Sequence, residues 1–166
     1  LHEQNAYPGL ANRTLEKYVD NIFLGFEDAG KFFKQPEKHV VAGNPVRKSF
    51  FTLSKKEARE KLGIPQDDFV VFTFGGSLGA AKINDVAIEL LELFNGHSGV
   101  TMVMGTGKLY KDEIAANIAA RKIDVKENIR IKDYIESMDL YLMACDLVIS
   151  RAGALSVAET TVCGKA

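Results

Sequence analysis

From residue 69 onward the chain alternates short apolar runs with longer stretches in which apolar positions recur every three or four residues. Phe69 to Phe74, Val100 to Met104, Asn128 to Lys132 and Asp146 to Ser150 have the length of buried strands. The segments Ala80 to Phe94, Leu109 to Arg121, Ser137 to Ala144 and Leu155 to Val162 have helical periodicity. Strands alternating with amphipathic helices predict a parallel sheet covered on both faces. The expected fold class is therefore α/β, a Rossmann-like parallel sheet with flanking helices.

The first 68 residues are less regular. Pro8 to Val19 reads as a helix with Asn5 as a cap upstream, and Asn21 to Phe26 and Lys38 to Ala42 read as short strands separated by the mixed segment Glu27 to Glu37. Gly43-Asn44-Pro45 breaks the pattern, because proline removes a donor and drives the preceding residue out of helix. A domain junction is placed there, dividing residues 1–45 from 46–166. Beyond it, Ser54-Lys55-Lys56-Glu57 is a capping box opening a helix that Gly63 closes, with Pro65 as a further stop.

With 166 residues the chain has room for one ordinary domain or pieces of two. Lys plus Arg number 21 against 22 Asp plus Glu, a net charge of -1 that lacks the basic excess expected of a nucleic-acid binder. Cys145 and Cys163 lack a CxxC spacing and read as buried free thiols. The histidines His2, His39 and His97 are scattered, so no metal cluster is visible and no cofactor is expected. No apolar run reaches the ~18 residues of a membrane helix. Lys31-Phe32-Phe33-Lys34 mixes basic and aromatic residues but is short enough to be a surface loop. The opening Leu1-His2-Glu3-Gln4-Asn5 reads as though entered within a longer protein, and the sheet as though a further strand should follow.

Chemistry concentrates in two turns. In an open parallel sheet, ligands bind where strand C-termini lead into helices. In Gly75-Gly76-Ser77-Leu78-Gly79 the glycines allow backbone to approach an anion, the first amides of the next helix point toward it, and Ser77 adds a hydroxyl. Ser150-Arg151-Ala152-Gly153-Ala154 repeats the arrangement, so the pair suits a diphosphate. Glu159, about a turn into the last helix, has the reach to accept both hydroxyls of a ribose. Arg47 offers a charge-assisted contact to a diphosphate.

Other motifs fit less well. Gly75 to Gly79 matches the nucleophile elbow of hydrolases, yet the one histidine after Ser77 is His97, with no room for an acid-bearing strand before it. A dinucleotide fold needs an acidic residue ending the next strand, and Val100 to Met104 runs into Gly105 instead. Gly105-Thr106-Gly107-Lys108 lacks the earlier glycine and the Ser or Thr of a P-loop, and reads as a plain loop.

Four segments in order, His2-Glu3-Gln4-Asn5, Gly43-Asn44-Pro45-Val46-Arg47, Gly75 to Ala80 and Ser150 to Glu159, resemble the MurG-type N-acetylglucosaminyltransferases of peptidoglycan synthesis. The resemblance implies part of a two-domain GT-B glycosyltransferase, with residues 1–45 ending the acceptor domain and residues 46–166 forming most of the donor domain. It implies transfer of N-acetylglucosamine from UDP-N-acetylglucosamine to a lipid-linked muramyl-pentapeptide acceptor, with inversion, by a protein held peripherally on the cytoplasmic face of the cell membrane. By the same resemblance Ser77 and Arg47 meet the diphosphate, Ile135 offers backbone to uracil, and Ala154, Leu155 and Ser156 surround diphosphate and sugar. Glu159 holds the ribose, Asn5 contacts the sugar, and His2 and Glu3 line the acceptor side. The loops Gly75, Gly76, Gly79 and Gly153 supply backbone. The family's base and its glutamine pair fall outside these residues, so this polypeptide alone is expected to transfer no sugar. The alternative is a non-catalytic nucleotide-sugar module, or a UDP-sugar enzyme of the same fold such as an epimerase.

Overall fold

The computed structural model describes residues 1–165, which divide into two compact units. The first comprises Leu1–Val46 with Gly153–Ala158, the second Arg47–Ala152 with Glu159 onward.

The first unit holds a small parallel sheet of β1 (His2–Glu3), β2 (Ile22–Leu24) and β3 (His39–Val41), in the order β1-β2-β3. Its core is Ile22, Leu24, Ala29 and Phe33. Strand β1 is too short to carry a periodic signal and was not foreseen. The expected helix from Pro8 to Val19 shrinks to α1 (Leu10–Leu15) followed by a 3-10 turn at Glu16–Tyr18. Burial explains this: α1 contains no buried residue, so no tertiary packing supports its propagation. Buried Glu16 instead accepts the backbone amides of Lys34 and Gln35 at 2.6 and 2.7 Å, tying the turn to a distant loop. Asn5 is not the helix cap. Gly9 occupies that position without a side-chain bond, and Asn5 turns its amide to Glu3. The segment after β2 forms 3-10 turns at Glu27–Phe32 and Pro36–Lys38.

In the second unit a 3-10 turn at Lys48–Phe51, absent from the sequence reading, precedes α2 (Lys55–Leu62). The capping box forms as expected: Glu57 N donates to Ser54 Oγ at 3.2 Å, and Ser54 N donates to the Glu57 carboxylate at 2.9 Å. Gly63 closes the helix in the left-handed conformation. There follow β4 (Phe69–Phe74), α3 (Ala81–Phe94), β5 (Val100–Gly105), α4 (Lys111–Ala120), β6 (Ile129–Lys132), α5 (Met138–Ala144) and β7 (Leu147–Ser150). The last helix, α6 (Ala154–Val162), spans the boundary between the two units.

All four strands of this sheet are parallel, in the order β6-β5-β4-β7. On one face, Val71, Met102, Met104 and Ile129 pack with Ala87, Ile88 and Leu91 of α3 and Ile114 of α4. Alternate residues point to the opposite face, where the Phe72 ring lies 5.5 Å from that of Tyr141 on α5. Each fully buried Leu, Ile or Phe here contributes roughly 1.5–3 kcal/mol of transfer free energy. β4 and β5 are thus covered on both sides, which is why they read as unbroken apolar runs.

The base of this sheet is pinned by a buried charge. Arg59, 1% exposed, donates Nε to Ala144 O at 3.0 Å, Nη1 to the carbonyls of Pro65 and Gln66, and Nη2 to Asp146 Oδ2 at 2.7 Å. Asp146 also accepts Val70 N at 2.8 Å and pairs with Lys55. Burial pushes the Asp146 carboxyl up, but the bonds from Lys55 and Val70 and the charges of Lys55 and Arg59 outweigh it and hold the group below its ordinary value.

Candidate functional site

β4 and β7 are neighbours, with Phe74 in register with Ser150. The loops that leave these strands therefore start side by side at the C-terminal edge of the sheet. In the first loop Gly75 is buried while Gly76, Ser77 and Leu78 are exposed. Gly79 N donates to Gly76 O at 3.0 Å, closing a turn with Ser77 at its tip. A side chain on Gly75 would collide with Ala80 N and Cβ at under 3.0 Å, so the loop folds back tightly on the start of α3. Ala80, the N-cap of α3, makes no side-chain cap bond. The first amides of α3 thus lack the usual internal acceptor and carry the positive end of the helix dipole.

The second loop leads from Ser150 through Arg151 and Ala152 to Gly153, whose carbonyl accepts Val157 N at 2.9 Å and opens α6. Ala154, Leu155 and Ser156 form the first turn of that helix, with Leu155 40% exposed. Glu159 is half-buried. Burial raises the pKa of its carboxyl, the charge of Arg47 opposes that rise, and Asp139 of α5 adds to it. Arg47 is itself exposed. In the second unit, then, Glu159 and Arg47 are electrostatic neighbours, and Asp139 joins them without having been picked out from sequence.

Ile135 lies over the end of β5: a Cβ at Gly105 would stand 3.1 Å from Ile135 Cγ1 and 3.4 Å from Phe74 Cβ. The Phe74–Gly105 register sets the three residues at one end of the sheet. Beside them a cavity of about 930 Å³ is lined by Thr106, Tyr134, Glu136 and Ser137 and by apolar residues of α4 and β6.

In the first unit Glu3 is 2% exposed, so its carboxylate is used internally. It accepts Asn5 N at 2.9 Å, Asn5 Nδ2 at 3.3 Å, Gly9 N at 3.1 Å and Asn12 Nδ2 at 2.8 Å. Burial disfavours its charge, but these four donors prevail and hold the pKa below its ordinary value. Glu3 therefore presents no carboxylate to an acceptor; it orients Asn5, which is exposed. His2 Nε2 lies 3.2 Å from Gly43 O, joining β1 to the junction segment, and Asn44 Nδ2 donates to Gln4 O at 3.0 Å.

Cys145 is fully buried with its thiol pushed up to about 12 by burial, whereas Cys163 is only half-buried; both are free. Among the described residues no group of three His, Cys, Asp or Glu converges to hold a metal ion, and no helix is long and apolar enough to cross a membrane.

A parallel sheet with a glycine-rich loop and the N-terminus of α3 at its C-terminal edge is the arrangement of a Rossmann-like α/β domain. The glycosyltransferase family 28 C-terminal domain matches residues 70–166, and the chain belongs to that family. A curated relative from Caldicellulosiruptor saccharolyticus, a UDP-N-acetylglucosamine--N-acetylmuramyl-(pentapeptide) pyrophosphoryl-undecaprenol N-acetylglucosamine transferase, is 42% identical over 165 residues, covering 99% of this chain and 44% of its own length. A transferase of the same name from Acetivibrio thermocellus is also 42% identical, over 164 residues, with 99% of this chain and 44% of the relative covered. The chain spans less than half the length of these relatives. Among solved structures, Acinetobacter baumannii MurG is similar with a TM-score of 0.58 and 25% identity, over 98% of this chain and 42% of that one.

Proposed function

We propose that residues 46–166 are most of the donor-binding domain of an inverting N-acetylglucosaminyltransferase, and that residues 1–45 are the tail of its acceptor domain. The donor is UDP-N-acetylglucosamine and the acceptor a lipid-linked muramyl-pentapeptide, as the names of the relatives suggest. The observation that carries this reading is the Gly75–Gly79 turn, closed on the uncapped start of α3 and adjoining the loop after Ser150.

In such a transfer the acceptor oxygen bonds to the anomeric carbon as the bond from that carbon to UDP breaks, and a base takes the acceptor proton. The groups present here serve the leaving group. The amides of Gly76, Ser77 and Leu78 and the first amides of α3, with the Ser77 hydroxyl and Arg47, stabilise the charge gathering on the diphosphate. Glu159 accepts the ribose hydroxyls, Ile135 offers its backbone to the uracil, and Ala154, Leu155 and Ser156 flank the diphosphate and sugar. Asn5, oriented by Glu3, meets the sugar, and His2 stands on the acceptor side. Backbone dipoles and Arg47 take the place of a cation, so binding proceeds without metal. The protein works at the cytoplasmic face of the membrane as a peripheral enzyme of cell-wall growth and division.

Calorimetric titration of the chain with UDP in the presence of EDTA tests this reading. Binding is expected, weakened at least tenfold by Glu159→Gln; an unchanged affinity in that variant removes the ribose role.

A further inference from the structure

The segment Gly105-Thr106-Gly107-Lys108, which ends β5 and leaves it, reads from sequence as a plain loop, yet three of its four residues are buried. It is the backing of the Gly75–Gly79 turn. Gly79 (φ 88°) and Gly107 (φ 83°) meet backbone to backbone. A Cβ on Gly107 would fall closer than 3.0 Å to Cα and N of Gly79 and to the carbonyl carbon of Leu78, all backbone atoms that no rotamer change can move. A Cβ on Gly79 would in turn fall closer than 3.0 Å to Thr106 O and Tyr110 Cδ2.

The backing loop is itself held from three sides. Asn84 of α3, 2% exposed, donates Nδ2 to Thr106 O at 3.0 Å. Thr106 N donates to Lys132 O of β6 at 2.9 Å, and Tyr110 N to Gly107 O at 3.1 Å. A rigid support pressed against a turn at zero side-chain thickness fixes the depth of that turn.

We propose that Gly107 is a positioning residue for the nucleotide diphosphate: the missing side chain at 107 sets the Leu78–Gly79 peptide at the depth from which Gly76, Ser77 and the first amides of α3 reach the phosphates. This rests on the reading of Gly75–Gly79 as the diphosphate site. Carbon atoms settle at about 3.5–4.0 Å, whereas the added Cβ would start 2.2 Å from Gly79 Cα, so a methyl group at 107 drives the turn outward by more than about 1 Å. Amide donors that must lie at about 2.7–3.2 Å from an oxygen then miss it.

The test compares amide spectra of the chain, by nuclear magnetic resonance, with and without UDP or uridine. Gly107→Ala is set against Gly99→Ala, which carries the same positive-φ strain (76°) with open space around the added methyl. Gly107→Ala is expected to shift the ligand-free amides of Gly76 to Gly79, to lower UDP affinity at least tenfold, and to leave uridine affinity within twofold. Gly99→Ala is expected to do none of these. Asn84→Ala, which withdraws a tie without adding bulk, should weaken UDP about threefold with uridine unchanged, and stands in if Gly107→Ala does not fold. Unmoved loop amides in Gly107→Ala, or equal losses for UDP and uridine, overturn the proposal. If UDP leaves the Gly76 and Ser77 amides of the wild-type chain unmoved, the diphosphate site itself is misread, while the ligand-free comparison still judges whether Gly107 sets the turn.

Discussion

Replacing Arg59 by methionine keeps the length and much of the apolar stem of the side chain while removing its charge and its donors. The wild-type side chain is 2% exposed and serves Asp146 and the carbonyls of Ala144, Pro65 and Gln66. Removing one partner of a buried ion pair costs about 3–5 kcal/mol. Asp146 keeps Lys55 and the Val70 amide in the variant, so the lower end, about 3 kcal/mol, applies. For a chain of this size each kcal/mol moves the melting temperature by roughly 2–4 °C, giving a fall of about 6–12 °C. Thermal denaturation followed by circular dichroism at neutral pH measures it, and a fall below about 2 °C would refute the reasoning. Acid provides a second reading. The Asp146 carboxyl titrates below its ordinary value in the folded state, so its contribution is present above the unfolded value and is lost as pH falls through the folded one. The gap between wild type and Arg59→Met should therefore narrow at low pH. Affinity for UDP should stay within twofold while the variant is folded, because this cluster lies at the start of β4 and β7, away from the loops at their other end.

Three further outcomes are expected. The carboxyl of Glu159 titrates above its ordinary value, and a ribose needs the charged form, so UDP affinity should rise with pH through that raised value; Glu159→Gln should abolish this component in titrations at stepped pH. On the proposed diphosphate role of Ser77, Ser77→Ala removes one hydroxyl donor to a charged ligand, a loss of about 1.5–3 kcal/mol, and should weaken UDP at least tenfold in calorimetry while sparing uridine. Glu3→Gln turns a donor toward groups that already donate, Gly9 N and Asn12 Nδ2 or the two nitrogens of Asn5, at a cost of about 1–3 kcal/mol. Hydrogen exchange should show the amides of Asn5 and Gly9 opening faster; unchanged protection would contradict the role given to Glu3.

The second unit was readable because local and tertiary preferences agree there. Phe69 to Phe74 lies in the sheet interior with both faces covered, so its apolar run had one plausible home. The Ser54 and Glu57 cap needs only three residues of separation to be recognised. Where the forces are long-range, the pattern failed. Pro8 to Val19 reads as a longer helix than forms, since its apolar Leu10 and Leu15 stay exposed, at 73% and 44%, and gain nothing from packing. Glu3 looked like a residue facing a ligand, and nothing in its neighbours announced that four donors would surround it. The Gly75–Gly79 turn was visible as a motif, whereas its support at Gly107 lies 28 positions further along and acts by lacking a side chain. Two glycines in four residues were the available clue, and they read equally well as an ordinary turn. Asp139 carried no local signal, since its influence on Glu159 depends on the packing of α5.

The strand order has a temporal consequence. β7 pairs with β4 although β5 and β6 are made between them, so the two loops that start side by side begin at residues 75 and 151 of a chain that emerges from its N-terminus. Chain closure over such a distance is among the slow events of folding. During synthesis the edge of β4 that receives β7 waits unpaired through two complete strand-and-helix units. The Gly75–Gly79 turn is therefore made well before the loop after Ser150 can stand beside it, and that edge of the sheet stays incomplete until β7 arrives.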